Sequence, residues 1–240
     1  MGFGAVVPQE GAGGDTVVAA LLVGRFGGRF SLEIGIDVDA GDSEVERWFV
    51  AATLFGARIS ASVAKRTFGV LNGAGLVSIV DARRFSWEEL VDLLDRGGYA
   101  RYDFRTATRL HAIADAITRR YGGRVATLGR ACSDYPALRR SLDELPGWGP
   151  MTVQLFLREL RGVWPTAQPP LDERAGRAAR HLRLVDPVHA VPTLSYLSDL
   201  AARAGLDPRD LESGLVRVAL AHHDRWDACP GREGCIALAV

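Results

Sequence analysis

A glycine-rich turn between two helix-like segments is the part of this sequence best suited to bind a phosphate. Residues 145–153 read LPGWGPMTV, with an apolar stripe of helical spacing on each side. Gly147 and Gly149 permit a sharp turn, and Pro150 suits the start of the next helix because proline lacks the N–H that would be unpaired there. The N–H groups of the turn and of that helix N-terminus favour a DNA backbone phosphate rather than any particular base. An ordinary αα-hairpin with a glycine-rich corner is the alternative interpretation.

The complete string LPGxGPxT resembles the helix-hairpin-helix of the endonuclease III-like DNA glycosylases, the HhH-GPD superfamily. Residues 51–67, residues 98–120 and residues 219–226 are similar to early, middle and late helices of the same family, so the resemblance covers roughly residues 44–236. It implies that the protein binds double-stranded DNA and removes a flipped-out damaged or mispaired base. On this basis we expect DNA contacts from the hairpin residues Gly147, Trp148, Gly149, Pro150, Met151 and Thr152. The resemblance also allows a monovalent cation bound by the hairpin carbonyls.

An aspartate follows the hairpin at the distance that the family uses for its catalytic carboxylate. Asp172 lies 21 residues after Met151 and directly before a segment with helical alanine spacing. In that position it serves as a helix N-cap, and the helix dipole favours its ionised form. An ionised carboxylate stabilises the oxocarbenium-like sugar that forms as a base departs, and it orients the attacking water. We therefore expect Asp172 to be both the N-cap and the catalytic residue.

A missing lysine separates this chain from the strand-cleaving members of the family. Those members use a lysine in the second hairpin helix as a Schiff-base nucleophile, and the matching residue here is Met151, whose thioether cannot form an imine. Lys65 is the only lysine of the chain, and by resemblance it lies where the family keeps a non-catalytic one. The sequence predicts a monofunctional DNA glycosylase without lyase activity. A non-catalytic helix-hairpin-helix DNA-binding protein is the alternative, and a helical scaffold that never binds DNA is a third.

The base pocket is predicted from segments that flank the hairpin in the resemblance. Several relatives place a glutamine in the first helix pair to fill the gap left by the flipped base, and here Arg58 is expected to fill it or to contact the orphaned partner base. We expect Phe55, Ser60, Tyr102 and Met151 to line the pocket. Trp148 either packs under the turn or faces DNA. The sequence does not specify which base is removed.

The three cysteines are too few for the iron–sulfur cluster of the family, which needs four thiolates. Cys229 and Cys235 have the spacing of the last pair of the family's four-cysteine loop and resemble remnants of it, whereas Cys132 is distant. We expect no cluster, no metal and no required cofactor. Reduced thiols or one local disulfide account for the pair, and a zinc site that includes His222 or His223 is the alternative left open.

Apolar residues recur at helical spacing almost throughout the chain and predict an all-α fold. Only FSLEIGIDV at residues 30–38 suggests a strand. We expect two lobes: a helical barrel over residues 46–164 that carries the hairpin, and a second lobe built from residues 1–45 and 165–240. Asp172 and the flipped base are expected in the cleft between them.

Composition places the chain among ordinary globular proteins, with 240 residues, 48% of them hydrophobic and 24% charged. The net charge is zero, but residues 96–130 carry eight arginines and two aspartates, whereas residues 1–46 carry two basic and eight acidic side chains. A basic face on a neutral protein suits a polyanion such as DNA. No apolar run is long enough for a membrane span, and no signal peptide is recognised. We expect a monomer in the cytoplasm, associated with the nucleoid.

Overall fold

The computed structural model describes residues 11–56, 59–100, 102–222 and 226–238, and it is all-helical over these ranges, as predicted. The α-helices are α1 (Gly11–Phe26), α2 (Phe30–Glu33), α3 (Asp42–Phe55), α4 (Ala61–Gly73), α5 (Trp87–Gly97), α6 (Asp103–Tyr121), α7 (Val125–Ala131), α8 (Tyr135–Asp143), α9 (Pro150–Glu159), α10 (Glu173–His181), α11 (Leu194–Arg203) and α12 (Pro208–His222). Three short 3-10 helices are η1 (Val38–Ala40), η2 (Ile79–Arg84) and η3 (Arg232–Gly234).

The described residues form two compact units. One takes its residues from Ser31–Pro169, and the other takes them from Met1–Phe30 and Pro170–Val240. The predicted bounds of the first unit are 46 and 164, and in the structure residues 31–45 and 165–169 also group with it. One contact that anchors them is the N–H of Ser31, which donates to the buried carboxylate of Glu159 at 2.8 Å.

The unit Ser31–Pro169, called the hairpin unit below, has an aromatic core around α3. Phe49 stacks on Trp148 with ring centroids 4.4 Å apart, and Phe156 meets both rings edge-on. The indole N–H of Trp48 donates to the carbonyl of Phe156 at 3.3 Å. Such aromatic pairs stabilise a core beyond the area they bury. The start of α9 is thereby held firmly against α3.

The unit Met1–Phe30 with Pro170–Val240, called the C-terminal unit below, has a separate aliphatic core. It is formed by buried residues of α1, α10, α11 and α12, including Leu22, Ala179, Leu200 and Leu215, with Cys235 in the same cluster. Gly214 permits close packing of α12 on α1, because a Cβ there would lie 3.4 Å from Cγ of Leu22 on α1. The N-terminus of α10 is the part of this unit that carries Asp172.

The local expectations from periodicity are confirmed for helices and wrong for the strand. The predicted stripes on α3, α6, α8, α9 and α12 are buried, and α6 ends at Gly122 in the left-handed conformation. Residues 30–38 form α2, a turn and the first residue of η1 instead of a strand, and Ile36 and Val38 are buried without any partner strand in the described ranges. None of the described helices combines the length and the apolar character needed to cross a membrane.

Candidate functional site

The glycine-rich turn joins α8 to α9 in the hairpin unit. Gly147 has φ +74°, a left-handed conformation, and Gly149 is the extended N-cap of α9 with φ −135°. Because glycine has no side chain, no side-chain oxygen caps the first turn of α9, and its first backbone bond runs from Val153 N–H to the carbonyl of Gly149 at 3.0 Å. Pro150 occupies the first helical position, as expected. The turn thus presents backbone N–H groups that are suited to bind an anion.

Two of the residues predicted to contact DNA have buried side chains. Trp148 is 5% exposed, and its indole N–H donates to the hydroxyl of Thr53 at 3.2 Å beneath the turn. Thr152 is 3% exposed and packs closely on Gly56. A Cβ added at Gly56 would lie 2.9 Å from the Cβ of Thr152. Of the two alternatives for Trp148, the structure shows packing under the turn. These two side chains position the turn, whereas Gly147, Pro150 and Met151 are exposed.

Arg109 is a residue beside the turn that the sequence analysis did not single out. It lies on α6, and a Cβ at Gly147 would stand 2.6 Å from its Cζ, so the guanidinium packs directly on the turn. Arg105 lies one helical turn earlier on α6 and is exposed. Half-burial lowers the pKa of Arg109, although arginine keeps its charge at any ordinary pH. The basic segment 96–130 pointed to this region, but not to the contact.

The residues predicted to line the base pocket lie on segments that the structure partly brings together. The carbonyl of Leu54, next to Phe55, accepts a 2.8 Å bond from the buried hydroxyl of Tyr99. Burial raises the pKa of Tyr99, so this phenol remains a donor. Tyr102 is half-buried at the N-cap of α6.

The other predicted pocket residues have mixed outcomes. Ser60 is exposed and is the N-cap of α4, accepting from Val63 N–H at 3.3 Å. Met151 is 57% exposed on the first turn of α9, near the turn itself. Arg58, the predicted gap-filling residue, lies outside the described residues.

Asp172 is the N-cap of α10, as the sequence predicted. Its Oδ1 accepts from the N–H groups of Arg174 at 2.8 Å and Ala175 at 3.4 Å. Its own N–H donates to the buried carboxylate of Glu212 on α12 at 3.0 Å. Two backbone N–H groups therefore orient the carboxyl group, and Glu212 anchors the backbone of Asp172.

A cavity of about 570 Å³ opens at this N-cap. Its lining comes from one side of α10 and from nearby residues: Leu171, Asp172, Glu173, Arg174, Gly176, Arg177, Arg180 and Pro192. The three arginines recur three residues apart, so they lie along one face of the helix. These arginines attract an anionic ligand to the cavity, beside the fixed carboxylate of Asp172. The volume of the cavity is in the range of small-molecule sites.

A second group of reactive side chains lies at the other end of α10. His181, His222, Cys229 and Cys235 each place one ligand atom so that all four atoms lie within 4.8 Å of one another. Nε2 of His181 lies 3.3 Å from Sγ of Cys229, and Nε2 of His222 lies 3.4 Å from Sγ of Cys235. All three cysteines of the chain are thiols, so the local disulfide is not formed. We expected no metal, but these four side chains are of the types that bind one.

The two thiols of this group have different environments. Burial opposes ionisation of Cys229, but its contact with His222 and hydrogen bonds from the N–H groups of Gly231 and Ile236 lower its pKa to about 6. Burial raises the pKa of Cys235. His222 and His223 are the possible zinc ligands that the sequence indicates. His223 lies outside the described residues, and His181, 41 positions before His222, carried no sequence signal.

Comparison of the sequence with protein-family models and with curated proteins found no match.

Proposed function

We propose that this protein is a monofunctional DNA N-glycosylase that hydrolyses the bond between a damaged or mispaired base and its sugar. The observation that carries the proposal is the fixed carboxylate of Asp172 at the mouth of an arginine-lined cavity. The glycine turn, with its uncapped helix N-terminus and the adjacent Arg109, supports it as a second, independent feature suited to a phosphate backbone.

The proposed reaction uses Asp172 in two ways. Its negative charge stabilises the positive charge that develops on the sugar as the C1′–N bond breaks and the bonding electrons leave with the base. The same carboxylate orients a water molecule, whose oxygen forms the new bond to C1′ and whose proton the carboxylate accepts. The hydrogen bonds from Arg174 and Ala175 N–H hold the carboxylate in place during both steps.

The double-stranded DNA partner is proposed to be held through its backbone. Gly149, beside which a Cβ would meet nothing within 4 Å, allows a strand to approach the turn closely, and exposed Met151 lies beside it. Arg109 adds a positive charge next to the same turn. A monovalent cation at the turn carbonyls, a monomeric state and a cytoplasmic location stay predictions.

No lysine serves as a nucleophile in this proposal. Lys65 forms an ion pair with Glu33, and the hairpin position that carries the lysine in strand-cleaving relatives is Met151. We therefore expect base release to leave an intact sugar–phosphate strand. Borohydride present during the reaction is expected to trap no covalent protein–DNA adduct.

The decisive experiment replaces Asp172 with Asn. Asparagine caps a helix about as well as aspartate, so Asp172→Asn keeps the fold of α10 while removing the negative charge. Base release from a panel of lesion-bearing duplexes is measured with and without alkaline cleavage. We expect release to fall at least about 100-fold, the lower end of what a positioned general base contributes, with duplex affinity retained.

Asp134→Asn is the matched control, because Asp134 is likewise an N-cap, accepting from Ala137 N–H at 2.8 Å, at the start of α8. It should leave base release unchanged. Equal activity in wild type and Asp172→Asn contradicts a catalytic role for this residue. Duplex binding without release of any base by the wild type supports the non-catalytic DNA-binding alternative instead.

A further inference from the structure

We propose that His181, His222, Cys229 and Cys235 bind a single Zn²⁺ ion that joins the ends of α10 and α12 to the C-terminal loop. The four ligand atoms converge within 4.8 Å of one another in the C-terminal unit. The proposal is independent of the glycosylase activity, since none of the four residues lines the cavity at Asp172.

The distances within the group fit one tetrahedral ion. Zinc binds histidine nitrogen at about 2.0–2.1 Å and cysteine sulfur at about 2.3 Å, so a nitrogen and a sulfur on the same ion lie about 3.6 Å apart. The two nitrogen–sulfur distances in the structure are 3.3 Å for His181 with Cys229 and 3.4 Å for His222 with Cys235. To admit the ion, these two close pairs must separate by a few tenths of an ångström, and the atoms that lie farther apart, within the 4.8 Å limit, must approach one another.

The orientation of His222 is that of a metal ligand. Its side chain is 3% exposed, and its Nδ1 lies 3.0 Å from the carbonyl of Val218, one turn earlier on α12. Donation from Nδ1 to a carbonyl fixes the tautomer and leaves the lone pair of Nε2 directed at Cys235. Trp226 stacks on the same ring, with planes 10° apart and centroids 4.5 Å apart, and so holds its angle.

Residues of the loop from 229 to 235 contact the sulfur atom of Cys229 and the end of α10. The backbone N–H of Ile236 donates a hydrogen bond to Sγ of Cys229 at 3.3 Å. Gly231, with φ +72°, packs so closely on the end of α10 that a Cβ there would stand 2.5 Å from the carbonyl oxygen of His181. A glycine in this position lets the loop bring its thiols to the histidine.

The donor set selects the metal. Two thiolates and two imidazoles in a compact tetrahedral arrangement are typical of zinc, and two thiolates make the Zn²⁺ site neutral once their protons are released. A two-iron cluster with the same residues spreads its ligands over two metal ions, whereas these four atoms surround one point. Four protein ligands leave no open position for a substrate, so the ion is structural.

Metal content is the first test. The full chain, purified without chelators and without metal-affinity chromatography, is expected to contain one equivalent of zinc when measured by elemental mass spectrometry. After removal of the metal, Co²⁺ should produce the intense visible bands of a tetrahedral site and a thiolate charge-transfer band in the near ultraviolet. Bound iron with inorganic sulfide, or a wild-type chain that binds neither Zn²⁺ nor Co²⁺, would overturn the proposal.

Variants assign the metal to these residues. Cys229→Ser and Cys235→Ser should each lose the cobalt charge-transfer intensity of one thiolate and bind Zn²⁺ at least about 10-fold more weakly. The matched controls are Cys132→Ser, in the hairpin unit, and His189→Gln, which alters an exposed histidine of the C-terminal unit paired with Asp186. Both controls should retain the metal. Loss of the spectrum in the controls, or its persistence without Cys229 and Cys235, places the metal elsewhere and refutes the assignment.

The stability of the wild-type protein gives a further test, which does not require any variant to fold. Zinc that binds only the folded chain raises the folding equilibrium constant roughly 1,000-fold when free zinc exceeds its dissociation constant about 1,000-fold. Chelation is therefore expected to lower the melting temperature, and added Zn²⁺ should restore it, whereas Mg²⁺ should not. An unchanged melting temperature after complete removal of bound zinc contradicts a structural role.

Discussion

Replacement of each glycine of the turn by alanine tests the backbone conformation that the structure gives to the turn. Gly147 has φ +74°, and a Cβ there would lie 2.6 Å from Cζ and 2.7 Å from Cδ of Arg109. Gly149 has φ −135°, and a Cβ there would meet nothing within 4 Å. Alanine at position 147 therefore meets a strained backbone and a packed side chain, whereas alanine at position 149 meets neither.

The expected magnitudes follow from these conditions. Alanine in the left-handed conformation costs about 1–2 kcal/mol, and displacement of the packed Arg109 side chain adds to this cost in Gly147→Ala. For a chain of this size, each kcal/mol lowers the melting temperature by about 2–4 °C. In Gly149→Ala, the weaker N-cap propensity of alanine is offset by its lower entropy in the unfolded chain, so the change should stay within about 0.5 kcal/mol.

Thermal unfolding followed by circular dichroism measures both variants against the wild type, in zinc-containing buffer so that the C-terminal unit is the same in each. Gly147→Ala should melt several degrees lower, and Gly149→Ala should melt with the wild type. Fluorescence anisotropy with a labelled duplex, at a temperature where both variants are folded, then reports DNA affinity. Equal melting temperatures for the two variants would refute the conformational argument for Gly147.

Two further predictions concern a charge beside the turn and a buried carboxylate. Arg109→Gln should reduce the slope of log affinity against log salt by about one unit for duplexes of any sequence, as loss of one phosphate contact does. Arg83, on η2, pairs with Asp115 at 3.4 Å, and Arg83→Gln should leave the slope unchanged. Burial raises the pKa of Glu46 above its ordinary value of 4.5, while Val125 N–H donates to the carboxylate at 2.6 Å. The stabilising contribution of Glu46 is therefore complete below pH 4.5 and is lost as the pH rises through the raised pKa. Denaturant unfolding of Glu46→Gln, which keeps an acceptor without the charge, should show higher stability relative to wild type at pH 7 than at pH 4; the opposite order would contradict this.

Features that depend on neighbouring residues could be predicted from the sequence. The buried apolar stripe of α9, the glycine turn before it and the N-cap Asp172 all depend on residues within about one helical turn. The strand prediction at residues 30–38 failed for the complementary reason. Alternating apolar residues form a strand only where a partner strand pairs with them, and the described chain supplies helices instead.

Contacts between distant segments were decided by the tertiary structure. The sequence identified Trp148 but not whether it faces solvent, because that depends on the space beneath the turn that Phe49 and Thr53 leave. It identified a basic segment but not that Arg109 packs on Gly147.

The sequence by itself determined an all-α chain, the glycine turn and an aspartate that starts a helix, since each is specified by residues adjacent along the chain. Only the tertiary structure joined His181 to His222 and the two cysteines, across 41 positions and two helix ends. The physical reason is that helix and turn signals act over a few residues. A ligand set, in contrast, requires that the packing of α10 on α12 and the approach of Gly231 direct four separate side chains to one point.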